Sequence, residues 1–437
     1  IARYYESDAQ EAGYLTFADA RRDPRMTNGY NATDGDRRKL QQYSLHLDAG
    51  LSESLGLTAK GWFNRMRDDR HVKFSATAAQ QRRVTDEDHW GALAARHWRG
   101  QAGGMPLMAE IGGDAQWQDN TSLRYTAVNR VPTAQTRDQK YTLNVAGAYA
   151  QLVLEPAPWL KVTPAWRFDR VGGHFRNGLN ATRAPINDYG TISQPKLSVA
   201  VTPAEGVTLY GNWGRTYQIG LASGAYLIPP RTVDLAPSIN EGWEAGVKYA
   251  LGERIEGRVA LWQQTATGEI KRKLNDPLGD SENVGATRRR GVDVQLSARP
   301  AKGLALWGAL SWQASRITRP DPATPQYLGN EIDHVPHWLW SGGVDVTAIP
   351  DLRLSLWGSG QSSYWLTGAN SAAQGKFGDF AVLNAEAAWR VDPPAELALS
   401  VKNLTDAAYQ YVWWDGAPSL HSPADGMNVT ASLRLRL

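Results

Sequence analysis

The chain has 437 residues, and 47 Lys and Arg against 44 Asp and Glu leave a formal net charge of +3, too small to argue for a nucleic-acid partner. It has no cysteine, which excludes a disulfide frame and a thiolate metal site, and its eight histidines form no short metal-binding spacing. No apolar run approaches the roughly 20 residues of a transmembrane helix. Yet 18 Trp and 17 Tyr against seven Phe favour rings with one dry and one wet end, as in the girdles of membrane barrels or in a glycan-binding sandwich.

The chain opens Ile1-Ala2-Arg3-Tyr4-Tyr5, with neither an initiator Met nor the charged start and apolar core of a signal peptide, and reads as processed or incomplete. Residues 40–51 alternate, with Tyr43, Leu45, Leu47, Ala49 and Leu51 on one face and Ser44, His46 and Asp48 on the other. The short turn Ser52–Gly56 leads into a strand through Trp62 and Phe63, and a long polar, basic segment, Arg65 to Arg83, reads as a loop. Strands follow around Trp90–Trp98 and Met105–Trp117, then a long polar loop, Asp119–Gln139, then a strand from Tyr141 to Leu154 and a tight turn at Glu155-Pro156-Ala157-Pro158.

The rhythm persists to the end. Further short turns fall at Pro203–Gly206, Leu251–Arg254, Arg299–Gly303, Ala348–Asp351 and Asp392–Glu396. Long loops fall near 171–193, 215–239, 268–284, 315–336, 361–378 and 405–427. Tight turns at one end of every hairpin and long loops at the other are the asymmetry of outer-membrane barrels, and a sandwich has no reason to sort its loops so. The last strand sets Val429, Ala431, Leu433, Leu435 and Leu437 against Thr430, Ser432, Arg434 and Arg436. Its apolar face suits lipid, with Arg434 and Arg436 toward the lumen. The fold expected is all-β, a transmembrane antiparallel β-barrel of about seventeen or eighteen readable strands. The chain would end on the periplasmic side.

Several segments then resemble one family, the TonB-dependent outer-membrane receptors. They are Gly147-Ala148-Tyr149-Ala150-Gln151 with Trp166-Arg167-Phe168-Asp169; Gln194-Pro195-Lys196-Leu197 with Leu209 to Arg215; and Glu241 to Lys248, spaced like the family's E-x-x-E-x-G-x-K strand. Asn283-Val284-Gly285 leading to Arg290-Gly291-Val292-Asp293, Asp333-His334-Val335-Pro336-His337, and Asn403-Leu404-Thr405-Asp406 with Tyr409 complete the series, in family order across residues 140–437. The resemblance implies a barrel of about 22 strands, of which residues 1–437 form one barrel domain without the N-terminal plug and first strands. It also implies active uptake of a scarce ligand, a ferric siderophore before cobalamin or another metal chelate, energised through the TonB complex. The chain departs from the family in ending on Leu437 where an aromatic is usual.

Most of these motif residues read as architecture. Gly291 admits close backbone approach, and Asn403 and Asp406 bond local backbone. Glu241, Glu244, Lys248 and Asp293 are charges that a wet lumen or a docked plug tolerates. Candidate ligand contacts are Trp413, Trp414, Tyr226, Tyr217, Arg215, Tyr364 and Trp365, rings to stack on a chelate and a cation to draw an anion. The competing reading places Tyr364, with Trp338 and Trp340, in the aromatic girdle. It gives Arg215, Arg231, Arg316 and Arg319 to lipopolysaccharide phosphates. Met105 and Met108 read as barrel wall rather than copper ligands, and His334 and His337 lack a third metal partner. No elbow, phosphate loop or zinc signature points to catalysis, and no cofactor is expected. The partners expected are the chelate, the energy-coupling complex, lipid and lipopolysaccharide. The alternatives are a passive porin-like channel and a soluble glycan-binding protein.

Overall fold

The computed structural model describes residues 1–437 except 221, 230, 273–280, 284, 393, 415–418 and 436–437, so Val284, Arg436 and Leu437 lie outside the described residues. One antiparallel sheet of nineteen strands carries the molecule. Among the described residues one of these, Arg183–Pro185, pairs only with the end of Leu160–Asn177, which leaves eighteen in the wall. They follow chain order, each paired with the next, from Ala2–Gln10 to Asn428–Leu435. This is the up-and-down meander of a transmembrane β-barrel, in which each inner strand pairs its ladder groups with both neighbours and needs no water to satisfy them. Among the described residues no pairing joins the first strand to the last.

Directly opposite residues of an antiparallel pair share a face. The outward face carries Leu45, 78 % exposed, and Ile111, 68 % exposed, and each such side chain gains about 1.5–3 kcal/mol on leaving water for lipid. The inward face is polar. Arg167 bridges Asp114 at 2.6 Å and Asp169 at 2.7 Å, the Tyr210 hydroxyl donates to Glu244 at 2.7 Å, and Arg434 pairs with Glu396 at 3.0 Å. Gly291 admits close approach as expected. A Cβ there would lie 2.6 Å from the Trp262 ring and 2.5 Å from the Trp312 carbonyl oxygen.

One rim has connections of two to four residues, such as 51–54, 103–104 and 205–206; the other has the loops 11–34, 178–190, 219–237, 268–285, 320–337, 362–379 and 403–427. Two expected loops prove to be sheet. Leu55–Val72 and Gln80–Ala102 run on until only 73–79 connects them, and Met105–Val128 and Val131–Ala157 meet at a two-residue turn. Asn129 and Arg130 there have φ of 47° and 67°, the left-handed pair that a two-residue hairpin turn requires. About 9–11 residues suffice to cross the hydrocarbon, so strands of 24 and 27 residues project far beyond it. Above the bilayer both faces are wet, and the apolar alternation stops while the ladder continues.

Candidate functional site

Four loops of the long rim converge on an aromatic assembly around His334. The short strand Tyr364–Trp365 pairs with Lys376–Phe377, and Gln410–Trp414 pairs with Ser419–Pro423. Period-2 alternation turns Val412 and Trp414 onto Tyr364, Leu366 and Phe377, and leaves Tyr411 and Trp413 on the other side, 49 % and 37 % exposed. His334 adopts φ 59°, and its N–H donates to the Trp365 carbonyl at 2.9 Å. Its ring nitrogens lie 3.2 Å from the Val412 carbonyl oxygen and 3.2 Å from the Asp333 carboxylate. Held at both ends, the imidazole centres on three rings, Tyr364 at 5.0 Å, Tyr411 at 5.9 Å and Trp413 at 6.2 Å. The Lys376 ammonium covers Trp365 at 4.5 Å.

The loop 11–34 closes the assembly from the other side. Leu15 and His421 exchange backbone hydrogen bonds of 2.8 and 2.9 Å, and Phe17 lies 5.3 Å from the His421 ring and 5.8 Å from Phe377. A short helix, Phe17–Arg22, is capped by the Thr16 hydroxyl, which accepts from the Asp19 N–H. His421 is fully buried, bonded to Ser419 through one nitrogen and unpartnered at the other. Burial pushes its pKa below the ordinary imidazole value.

Tyr226 has a different place. It is 2 % exposed, its hydroxyl donates to the Thr142 carbonyl at 2.7 Å, and its ring packs 6.0 Å from both Tyr141 and Phe175. It pins the loop 219–237 to the inner wall, and its apolar surroundings raise the phenol pKa. Tyr217 is partly buried near the end of Val207–Gln218, opposite Ile239. Arg215 shares the outward face of Trp213 and pairs with Glu241 at 2.7 Å. Glu241 is therefore outward, against the inward reading of the sequence, whereas Glu244, Lys248 and Asp293 do face the lumen side. Trp338 and Trp340 are exposed, as girdle residues are, but Tyr364 belongs to the loop assembly.

A second feature of the mouth has no announcement in the sequence. Asp36, Arg70, Arg83, Arg124 and Arg137 stand directly opposite one another on five successive strands, near the long rim. By alternation they face away from the lipid side, opposite in parity to Tyr43, Phe63, Trp90 and Trp117. Neighbouring strands are about 4.8 Å apart, so four guanidinium groups share one band of the inner wall. Arg70 bridges Glu11 at 2.8 Å, and Arg83 lies 4.7 Å over Phe74 and donates to Gln81. Residues 65–83 and 119–139 read as loops, so only the register could bring these positions together. His337 pairs with Glu331 at 3.2 Å, and among the described residues no three His, Asp or Glu form a metal cluster.

A family model described as TonB dependent receptor-like, beta-barrel, matches residues 2–404. The chain is similar to the metal-pseudopaline receptor CntO of Pseudomonas aeruginosa, 26% identical over 301 residues, a stretch that covers 62% of this chain and 37% of that protein. The chain thus spans well under half the length of this curated relative. Its fold is similar to that of the ferric citrate transporter FecA in the unliganded form, at TM-score 0.85 and 17% identity, covering 99% of this chain and 66% of that one. It is also similar to that of the siderophore receptor PiuA from Acinetobacter baumannii, at TM-score 0.84 and 13% identity, covering 99% and 71%. At these identities the structural likeness shows the fold alone.

Proposed function

The chain belongs to the TonB-dependent receptor-like β-barrel family, and from that premise we propose that it forms the wall and outer mouth of a receptor that takes up a metal chelate, a ferric siderophore foremost. The short-turn rim and the C-terminus face the periplasm, and the long loops face outward. The observations that carry the reading are two features of the long rim: Tyr411 and Trp413 present exposed rings on one loop, and a band of arginines lines the inner wall of four strands. Rings stack on the conjugated groups of a chelate, and guanidinium groups in a low-dielectric cleft draw an anion. The cargo is then an anionic, ring-bearing chelate, held until the energy-coupling complex acts on a plug within the barrel. This is transport, and no residue is assigned a catalytic step.

The test uses the protein in outer-membrane vesicles and in cells, with iron-labelled catecholate, hydroxamate and citrate chelates. Saturable binding of one class is expected, with uptake that stops when the proton-motive force is collapsed. Trp413→Ala and Tyr411→Ala each weaken binding on the order of tenfold, the loss of one stacking contact of about 1–1.5 kcal/mol. Unsaturable uptake indifferent to the proton-motive force would make the protein a passive channel instead.

A further inference from the structure

The lipid-facing side of the wall carries a charge pattern of its own. Tyr43, Phe63, Trp90 and Trp117 stand directly opposite one another on four successive strands, and Tyr43, Trp90 and Trp117 are exposed. A transverse row of rings on an outward face, three of them amphipathic Tyr or Trp, marks the boundary of hydrocarbon and headgroups. Asn144 and Gly172 continue that row on the next two strands. Four residues nearer the long rim, a second outward row crosses the same strands through Lys39, Arg67, Asp86, Thr121, Lys140 and Arg176, and reaches Arg183 on the short added strand. At about 3.3 Å per residue and a tilt near 40°, it stands about 10 Å above the rings, at headgroup height.

The two ends of this row differ. Lys39 is held by Glu6 at 3.0 Å. Lys140, Arg176 and Arg183 are exposed, directly opposite one another on adjacent strands, and among the described residues none has an ion-pair partner. Like charges opposed across a ladder destabilise one another unless an anion bridges them. With Thr142, His174 and Asp119 they border a hollow of about 720 Å³, in which Asp119 is the single acidic group and His174 is bonded to the Thr142 hydroxyl at 2.9 Å. Two guanidinium groups and an ammonium around one hollow match the forked geometry of phosphate monoesters.

We propose that Lys140, Arg176 and Arg183 bind the phosphate groups of a glycolipid in the outer leaflet, of the kind lipopolysaccharide presents. The inference rests on the outward orientation of the long loops proposed above. It is independent of the cargo, because these side chains lie on the face turned away from the lumen. The site ties the projecting strands Val131–Ala157 and Leu160–Asn177, with the short strand Arg183–Pro185, to the membrane surface at the height where their lipid contact ends.

The test is binding of bisphosphorylated lipid A to the detergent-purified protein, against fully dephosphorylated lipid A, phosphatidylglycerol and inorganic pyrophosphate. The wild type should prefer the bisphosphorylated form, with affinity falling on the order of fivefold per cation removed in the series Lys140→Gln, Arg176→Gln, Arg183→Gln. The charge-keeping pair Arg176→Lys and Arg183→Lys, which keeps the charge and loses the fork, binds more weakly than the wild type and more tightly than the corresponding glutamine pair, and so separates loss of the site from loss of the fold. A triple glutamine variant that binds as well as the wild type overturns the proposal. So does equal binding of phosphatidylglycerol, which would make the row a general anionic-lipid surface, or displacement by pyrophosphate at the same concentration, which would make it a soluble-phosphate site. Chelate binding by the same samples is read separately. Its absence in the wild type counts against the receptor reading alone, and its persistence alongside failed lipid binding counts against this proposal alone.

Discussion

Asn403 shows how one side chain ends a strand. It sits after Ala395–Lys402 at φ 51°, 2 % exposed, and its carboxamide oxygen accepts from the Ala407 N–H at 2.8 Å. Its amide group donates to the carbonyl oxygens of Ala407 at 2.9 Å and Asp425 at 3.3 Å. Asn403→Ala leaves these groups unpaired in a buried place and puts a Cβ-bearing residue without a local bond in the left-handed region. The expected cost is about 1–3 kcal/mol for the bonds alone, with further strain from the backbone. Asn403→Gly recovers the backbone part. Urea titration of the heat-modifiable folded band checks both, and a midpoint unchanged in Asn403→Ala counts against the role. The carboxamide was legible in the sequence as a strand-ending device. The placement of Arg215 was not, because a one-residue change of register moves a side chain from lumen to lipid face.

The loops behave as elements because buried polar and aromatic knots hold them. Asp34 accepts from Asn31 Nδ2 at 2.8 Å, from the Lys73 N–H at 2.7 Å and from Gln80 Nε2 at 3.0 Å, so it ties the loop 11–34 to the connection 73–79. Asp34→Ala should free both: amide exchange over 11–34 and 73–79 rises on the order of tenfold to a hundredfold, while the wall strands keep their protection. His421 adds a pH dependence to the neighbouring knot. Its folded-state pKa lies below the unfolded value of about 6.5, because the buried ring would have to give up water to charge. The unfolded loop therefore takes up the proton first. Stability of the knot is full above about pH 6.5 and is lost as pH falls toward the folded pKa. Exchange over Gln410–Trp414 and Ser419–Pro423, corrected for its intrinsic rate, should rise from pH 7 to pH 5 in the wild type and stay flat in His421→Phe. Equal slopes in the two proteins would remove His421 from the account.

At the scale of the whole molecule, the arginine band and the projecting strands act together, since only strands that outrun the bilayer lift Arg70, Arg83, Arg124 and Arg137 to the mouth. Replacing Arg83 and Arg124 together by Gln should weaken an anionic chelate by about tenfold or more at low ionic strength and leave a neutral chelate unchanged. It should also flatten the dependence of affinity on salt, because screening then has fewer charges to act on. Titrations at two salt concentrations check this, and a loss shared by neutral chelates would point to a damaged wall instead.

The amino-acid sequence by itself determined the barrel. The bilayer demands alternate apolar residues and a closed ladder, and both demands are written locally, in strands such as 40–51 and in turns such as Pro203–Gly206. It also marked the loops that carry Tyr364, Trp365, Trp413 and Trp414. Tertiary structure alone decided what those rings do. His334 gathers Tyr364, Tyr411 and Trp413 from two other loops, Tyr226 is spent on anchoring, and the long hairpins extend where no apolar alternation marks them. The physical reason is the same in each case. Lipid reads every second residue of a single strand, whereas a site in water is made by register and by contacts between segments far apart in the chain.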